Sequence, residues 1–317
     1  MNSDSSSDSK SLFDVFKKDN IINSSSRLSN YYYNNMSNNT SLYIGLFAVI
    51  IITVVIAILL YTFIGWQLFS KIEQTVSDTK IPIVGTKSTK FKAEIADTAN
   101  GVRRSFSFWI YINDMNKYSG QYKNVLALSS NTNSYNPNTS SPHIFLDKTN
   151  NSMYIRFCKK TITDTKNCPI LNSEASLKEY MKTGIYIKYV PLQRWVNITI
   201  VCNTDSFNTN LYAYVDGDLI NHVVHEQANV PLNTSVKIEK LELNDIDINM
   251  SGFLYVGADN TGECGPGFSG LISNFTSFNY ELNAKDIYNI YNKGPINGFL
   301  ARLGLASYGV RSPIYKL

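Results

Sequence analysis

The sequence predicts an all-β fold, an antiparallel β-sandwich with one short C-terminal helix, preceded by a transmembrane helix. Three features support this prediction: a long apolar stretch near the N-terminus, about eleven short alternating segments without helices between them, and an Asp-Gly step that joins two of those segments. Roughly 20 apolar residues suffice for a helix to cross a bilayer. Short alternating segments at close spacing are typical of sandwiches and barrels.

The first predicted element is the apolar stretch. Residues 28–70 contain no charged residue, and residues 42–65 are almost wholly apolar, with aromatic residues at both ends. Aromatic rings favour the headgroup region of a bilayer. A cleaved signal peptide would be shorter, nearer the N-terminus and followed by a small-residue cleavage site. We therefore expect residues 42–65 to form a single-pass membrane anchor in contact with the lipid bilayer.

The segments around the anchor and at the C-terminus differ in composition from a packed domain. Residues 1–41 are rich in Ser and Asn and are expected to form a disordered tail. Residues 66–91 are interpreted as a polar stalk, and residues 296–317, which contain no acidic residue, as a basic C-terminal tail. The net charge of +4 is mild and no basic residues cluster densely, so no nucleic-acid partner is expected.

A sandwich is predicted over residues 92–295. Phe106, Phe108 and Ile110 share one face of the first long strand, because alternate residues of a strand point to the same side. Asp216 and Gly217 join two alternating runs, and both positions of such a tight turn require positive φ. The predicted strands span residues 104–112, 124–129, 143–147, 152–157, 185–190, 194–202, 211–216, 218–224, 236–243, 253–256 and 270–278.

One helix closes the predicted domain. Asn283 can cap its N-terminus, Asp286 follows three residues later, and Gly294 is placed to end it. Ile287 and Ile290 share a face that can pack on the sandwich.

Four motifs along the predicted sandwich occur in the order of a known family. They are Phe106-Ser-Phe-Trp-Ile-Tyr, Trp195-Val-Asn-Ile-Thr-Ile, Tyr214-Val-Asp-Gly, and the segment from Phe268 to Ile287. In these motifs the chain resembles laminin-G-like domains of the concanavalin A-like lectin/glucanase superfamily. The resemblance implies a concanavalin A-like jelly roll that binds a glycan or a protein, or hydrolyses glycosides. The layout of anchor and sandwich also resembles membrane proteins of large DNA viruses.

The glycosidase interpretation depends on paired carboxylates. Retaining glucanases of this superfamily carry two glutamates flanking an aspartate at alternate positions of one strand, and their two catalytic carboxyl groups stand about 5–5.5 Å apart. The nearest match is Asp245-Ile-Asp-Ile-Asn249, in which Asp245 and Asp247 alternate but an amide ends the motif. An amide cannot donate a proton as a general acid. We therefore interpret this segment as a polar loop or edge strand and expect no catalytic residue.

Calcium is the one metal that the resemblance implies, since many domains of the superfamily hold it at a sandwich rim through loop oxygens. No contiguous loop signature defines a ligand set, and Asp216 is explained by its turn. The acidic residues near predicted strand ends are Asp147, Asp205, Asp216, Asp218 and Asp259.

Candidate ligand-binding residues are Tyr118, Tyr122 and Tyr135, which lie in long polar loops between the early strands. Binding residues occur disproportionately on such loops. Tyrosine rings can stack on sugars, although tyrosine is abundant in this chain and ordinary surface tyrosines are the alternative interpretation.

All four cysteines follow the predicted anchor, and Cys158 and Cys168 are close enough to form a disulfide across one loop. Disulfides favour an oxidising compartment, so the domain is expected to be extracellular or lumenal, or on a virion. Positive residues near the anchor slightly favour the opposite orientation. Asn138 and Asn150 are candidate glycosylation sites in surface loops if the domain is lumenal.

These features predict a membrane-anchored recognition module that binds a glycan or protein surface and is not an enzyme. A structural membrane or virion scaffold protein is the alternative, because fold does not fix function. A glycoside hydrolase is the third and less favoured hypothesis. Apart from Ca²⁺, no cofactor is implied.

Overall fold

The computed structural model describes residues 40–68, 72–77, 82–97, 103–132, 136–160, 173–205, 208–232, 236–248, 251–259 and 265–296. The chain divides into two compact units, Met1–Ser70 and Lys71–Leu317. The predicted tails, residues 1–41 except the start of the helix, and residues 297–317, lie outside the described residues.

The first unit contains helix α1 (Thr40–Leu68). Its most apolar part, Tyr43–Leu60, has none of its side chains buried, and the helix is long and apolar enough to cross a membrane. The Thr53 hydroxyl donates to the Val49 carbonyl oxygen at 2.8 Å, so this polar group is satisfied within the helix. The helix includes the whole segment 42–65 that the sequence predicts.

The second unit is an antiparallel β-sandwich with short helices. One sheet has seven strands in the order β1-β15-β4-β9-β10-β11, with β2 also paired to β15, and the other has six in the order β3-β14-β5-β6-β7-β8. A two-stranded sheet pairs β12 with β13. The strands are β1 (Glu73–Thr75), β2 (Ile83–Val84), β3 (Ser88–Ala93), β4 (Arg103–Asp114), β5 (Lys123–Ser129), β6 (His143–Leu146), β7 (Met153–Arg156), β8 (Gly184–Ile187), β9 (Trp195–Asp205), β10 (Asn208–Val215), β11 (Asp218–Val223), β12 (Val230–Pro231), β13 (Lys237–Ile238), β14 (Gly252–Gly257) and β15 (Ser269–Phe278).

The core lies between the two large sheets. Phe106, Phe108 and Ile110 of β4 are fully buried there, as their alternation predicts. The six-stranded sheet contributes aliphatic side chains to the same cluster, for example Leu126 and Ile144, which are cross-strand partners. The fold class predicted from the sequence is therefore confirmed.

Two local predictions are also confirmed. The β10–β11 hairpin turns at Asp216 and Gly217, whose φ angles are 54° and 93°. Helix α3 (Ala284–Lys293) begins after Asn283, whose side chain accepts from the Asp286 N–H at 2.9 Å, and ends at Gly294.

Three parts of the fold differ from the predictions. The segment 66–91, interpreted as a stalk, contributes β1, β2 and most of β3 to the sheets. Strands of two or three residues are too short to show an alternating pattern, so their pairing is decided by tertiary contacts. The predicted strand 236–243 is reduced to the two residues of β13. Helix α2 (Glu174–Tyr180), capped by Ser173, was not predicted.

Candidate functional site

The outer face of the six-stranded sheet is rich in aromatic residues. Register pairs Phe145 with Tyr154 and Tyr154 with Tyr186 across β6, β7 and β8, so the three side chains lie in one row. Beside this row, His143 is paired with Arg156. All five side chains are buried although they point away from the sandwich interior, so other parts of the chain cover them.

Phe145 lies at the centre of this aromatic row. Its ring centroid is 5.0 Å from those of both Tyr154 and His143, with interplanar angles of 20° and 28°. Tyr122, which directly precedes β5, meets Phe145 and Tyr154 edge-on at 5.5 and 6.1 Å. Each such pair adds roughly 0.5–1.5 kcal/mol beyond burial, so the half-buried Tyr122 ring is held in a defined orientation.

Helix α2 covers the His143 end of the row. His143 Nδ1 lies 2.7 Å from the Tyr180 hydroxyl, and its Nε2 lies 3.1 Å from Asn124 Oδ1. Since Asn124 Nδ2 donates to the Gly257 carbonyl, Oδ1 accepts from Nε2–H, while the Tyr180 hydroxyl lies between two acceptors, His143 Nδ1 and the Pro137 carbonyl oxygen at 2.9 Å. Burial, followed by the charge of Arg156, lowers the pKa of His143 to about 3. The imidazole is therefore neutral at ordinary pH.

Arg156 attaches a second covering segment, the 3-10 turn Pro137–Thr139. Its Nη1 donates to the carbonyl oxygens of Pro137 and Asn138 at 2.7 and 2.8 Å, and its guanidinium stands 4.5 Å above the Tyr180 ring. Within the described residues its buried Nε has no hydrogen-bond partner. This end of the sheet face is closed, so the accessible margin of the aromatic row lies at Tyr122.

Lys123 ties together the two loops at that margin. Its buried ammonium donates to three carbonyl oxygens, those of Gln121 (3.3 Å), Asp147 (3.1 Å) and Lys148 (3.0 Å). Burial lowers the pKa of Lys123, an effect that the nearby Asp147 carboxylate opposes. The Gly120 N–H also donates to the Lys148 carbonyl at 3.1 Å. The loops before β5 and after β6 are thus joined into one surface.

Asp147 organises the second loop from within. Its Oδ1 accepts from the N–H groups of Thr149 (3.0 Å) and Asn150 (3.3 Å), an Asx turn, and its Oδ2 accepts from the Tyr154 hydroxyl at 2.6 Å. Burial, together with this carboxylate, raises the pKa of Tyr154. The Asp147 carboxylate therefore links the loop conformation to the aromatic row beneath it.

The surface formed by residues 115–122 and 147–151 is called here the Tyr122 rim. The Lys148 ammonium lies 4.8 Å from the centroid of the Tyr122 ring, and the Lys117 ammonium lies 5.4 Å from that of Tyr118. Tyr118 has a positive φ of 61° in a turn whose Gln121 N–H donates to the Tyr118 carbonyl at 3.2 Å. The rim thus presents two tyrosine rings, each with an ammonium group over its face, on loops held by internal hydrogen bonds.

The structure brings two of the three predicted tyrosines, Tyr118 and Tyr122, into this rim. Tyr135 lies outside the described residues. Asn150 is exposed in the rim, while Asn138 is half-buried in the turn held by Arg156. Their glycosylation stays a prediction.

The predicted Cys158–Cys168 disulfide is not supported. Cys158 is a buried free thiol, and burial raises its pKa to about 11. Cys202 is likewise buried and free. Cys168 lies outside the described residues. Packing explains the burial of Cys158 and Cys202, so these two thiols no longer indicate an oxidising compartment.

The predicted acidic residues do not converge. Asp147 is satisfied as described above, and Asp216 accepts from the Asn197 N–H at 2.8 Å and pairs with Arg194 at 2.5 Å. Asp218 is exposed, Asp259 is buried, and the side chain of Asp205 is not described. In the described part of the chain no three His, Cys, Asp or Glu residues group as metal ligands.

The segment 245–248 is a loop, as interpreted from the sequence. Asp245 is exposed, has a φ of 58° and lies 4.0 Å from Lys160. Ile246 and Ile248 are buried, so they and not the acidic residues anchor the segment. Asn249 lies outside the described residues.

The sequence did not indicate Lys123, Lys148 or the aromatic row as site residues. One local signal for the row is present in the sequence. His143 and Phe145 lie two residues apart, as do Tyr154 and Arg156, so each pair shares a strand face opposite aliphatic residues. No local pattern marks Lys123, because its acceptors include carbonyls that lie about 25 residues further along the chain.

No protein-family model matches the chain, and no curated protein matches it. Among solved structures, the binding domain of botulinum neurotoxin serotype C1 is 15% identical, with 70% of this chain and 47% of that one covered and a TM-score of 0.38. A SAP-like pentraxin from Limulus polyphemus is 10% identical, with 70% of this chain and 81% of that one covered and a TM-score of 0.34. A Trypanosoma rangeli sialidase is 13% identical, with 60% of this chain and 23% of that one covered and a TM-score of 0.33. This chain spans about half the length of the neurotoxin domains it matches. Likeness at this level assigns no ligand.

Proposed function

We propose that the sandwich is a recognition module that binds an acidic glycan at the Tyr122 rim, and that α1 anchors it to a membrane. The observation that carries the proposal is the fixed Tyr122 ring with the Lys148 ammonium 4.8 Å from its centroid. A sugar carboxylate or sulfate bound by the ammonium brings the sugar ring against the tyrosine. Lys117 and Tyr118 repeat this pairing. We also propose that the sandwich is related to laminin-G-like domains.

The rim suits recognition because its conformation is set before a ligand arrives. Lys123 and Asp147 hold both loops through hydrogen bonds to backbone groups, so binding orders little additional chain. We propose no catalysis at this surface or at the loop 245–248, because Asp245 is paired with Lys160 and the motif ends in an amide. Hydrolysis of a polysaccharide panel that is lost in Asp245→Asn would contradict this part.

The proposal is tested with the full chain in a detergent without sugar head groups, on an array of neutral, sialylated and sulfated glycans. Lys148→Gln is expected to weaken binding of the acidic glycans about fivefold to tenfold and to reduce its salt dependence. Lys237→Gln removes the same charge from another exposed position and serves as the matched control. Absence of binding to every acidic glycan, or equal effects of the two variants, would overturn the proposal.

Orientation of the anchor is tested separately by inserting the chain into microsomes. The exposed Asn150 reports by a glycosidase-sensitive mobility shift. A protected, glycosylated domain supports a lumenal or extracellular module, whereas a digested and unglycosylated domain places the sandwich in the cytosol.

A structural scaffold is the second candidate, and the edge strand β11 favours it. This strand ends the seven-stranded sheet, and its Leu219 and Ile220 side chains are about half exposed. Unpaired edges can add a strand from another chain. Cross-links from β11 to neighbouring membrane or particle proteins, without glycan binding, would favour this function.

A further inference from the structure

A cleft lies on the other side of the sandwich, between helix α3 and the outer face of the seven-stranded sheet. Its volume is about 240 Å³. The residues used below, all of which line it, are Glu73, Thr75, Ser107, Trp109, Thr276 and Lys293. The cleft shares no residue with the Tyr122 rim.

The two halves of α3 lie over surfaces of different polarity, and the cleft lies under the C-terminal half. Near its N-terminal half, Ile287 is fully buried against Phe278, Leu282 and Val201. Its C-terminal half stands over hydroxyl-bearing side chains of β1, β4 and β15, while Ile290 of this half and Phe278 form an apolar part of the lining. A polar cavity of this size holds water or a polar ligand, whereas an empty cavity is apolar.

The floor of the cleft is polar and rigid. The Thr75 and Thr276 hydroxyls are 3.1 Å apart on neighbouring strands. The Ser107 hydroxyl accepts from Asn197 Nδ2 at 3.2 Å and lies 3.0 Å from the Thr199 hydroxyl, and all three of these side chains are buried. Hydroxyls fixed in this way on strands are suited to hydrogen bonding with a ligand that carries several hydroxyl groups.

One wall is aromatic and the opening is charge-neutral. The Trp109 indole is 5% exposed and is stacked on Tyr291 of α3, with centroids 5.8 Å apart and an interplanar angle of 18°, so it contributes a small apolar part of the wall that is fixed in place. At the opening, the Glu73 carboxylate lies 3.6 Å from the Lys293 ammonium. Because this pair carries no net charge, the opening does not favour a charged ligand over a neutral one, and the carboxylate can accept from neutral hydroxyl groups.

We infer that this cleft binds a single neutral sugar ring, with its hydroxyls on Glu73 and the floor and a C–H group against the exposed part of Trp109. The volume is below the roughly 300–1,000 Å³ of sites for drug-sized ligands, so one ring and not a chain of sugars fits within it. The inference goes beyond the proposed function, since it concerns a second site, a neutral ligand and a different sheet.

The test uses the full chain in a detergent without sugar head groups, with the methyl glycosides of glucose, galactose, mannose and N-acetylglucosamine as probes. Saturation-transfer NMR is expected to show saturable binding of at least one probe. Glu73→Gln and the near-isosteric Thr276→Val are each expected to weaken it about tenfold. Glu94→Gln removes another exposed glutamate that pairs with a lysine, Lys92, and serves as the matched control.

Lys148→Gln separates the two sites, since it is expected to leave binding of the methyl glycosides unchanged while it weakens binding of acidic glycans. Urea unfolding of each variant checks that the fold is retained. The inference is overturned if no probe shows saturable binding, which would mean that the cleft holds solvent only, or if Glu73→Gln and Thr276→Val bind as Glu94→Gln does.

Discussion

The buried His143 makes a quantitative prediction about stability and pH. Its pKa in the folded chain is about 3, against an ordinary value of 6.5, because burial and then the Arg156 charge disfavour the imidazolium. Between these two values the unfolded chain binds the proton and the folded chain does not. The free energy of unfolding therefore falls as the pH is lowered through this window.

The magnitude follows from the width of the window. Each pH unit below 6.5 costs 1.36 kcal/mol, so lowering the pH from 7.5 to 5.0 costs about 2 kcal/mol, or about 4–8 °C in Tm for a unit of this size. The pKa values of the Glu94, Glu226 and Glu242 carboxylates lie below their ordinary value of 4.5. The stability that these groups contribute is therefore lost below the pH range of 7.5 to 5.0 used here.

The assay is urea unfolding of the full chain at both pH values, for the wild type and for His143→Gln. The variant keeps polar groups near Asn124 and Tyr180 but cannot titrate, so the wild type is expected to lose about 2 kcal/mol more than the variant. An NMR titration of the His143 ring provides a direct check of its pKa.

Equal pH dependence of the wild type and the variant, or titration of His143 near 6, would refute the reasoning. The second result would have a structural explanation. The Tyr180 hydroxyl also lies 2.9 Å from the Pro137 carbonyl, and turning toward it would let His143 Nδ1 keep a proton.

Three further predictions are measured by urea unfolding midpoints. Gly257→Ala is expected to lower the free energy of unfolding by at least about 3 kcal/mol, because the new Cβ would lie 2.2 Å from a carbonyl oxygen. Gly120→Ala, which has the same φ of 82° but open space around it, is expected to lower it by about 1–2 kcal/mol. Similar losses for the two variants would contradict the steric argument. Lys123→Met is expected to cost about 2–4 kcal/mol and to weaken glycan binding, since its carbonyl acceptors lose their donor; unchanged stability would show that the ammonium does not hold the loops. Asp216→Asn keeps an acceptor for the Asn197 N–H and costs about 1 kcal/mol, against about 2–3 kcal/mol for Asp216→Ala; equal losses would mean that the ion pair with Arg194 dominates.

The sequence predicts those parts of the fold that local patterns determine. The alternation of β4, the positive-φ turn at Asp216 and the cap of α3 by Asn283 each depend on residues within a few positions of one another. The two-residue strand β2 and the seven-residue helix α2 are too short to show a period, and packing on other elements decides their conformation.

The candidate site is predicted in part for the same reason. Loop position alone indicated Tyr118 and Tyr122, and the structure brings both into the rim. The role of Lys123 could not be predicted, since a buried lysine is unusual and its acceptors come together only when β5 and β6 pair. Asp147 is one of the acidic residues near predicted strand ends, where calcium ligands are expected, whereas in the structure its oxygens accept from Thr149, Asn150 and Tyr154.

We expect substitutions at the covered and at the open parts of the six-stranded sheet's outer face to have different effects, the former on stability and the latter on glycan binding. Tyr180 and the turn Pro137–Thr139 close the outer face of the six-stranded sheet at the His143 end, so substitutions there should change stability and leave glycan binding intact. Lys148 is only partly buried at the rim, so its substitution should change binding and leave stability intact. Lys123 lies beneath the rim and holds both loops, and it should therefore affect both properties. A variant at the His143 end that abolished glycan binding without unfolding the chain would place the site beneath α2 instead of at the rim.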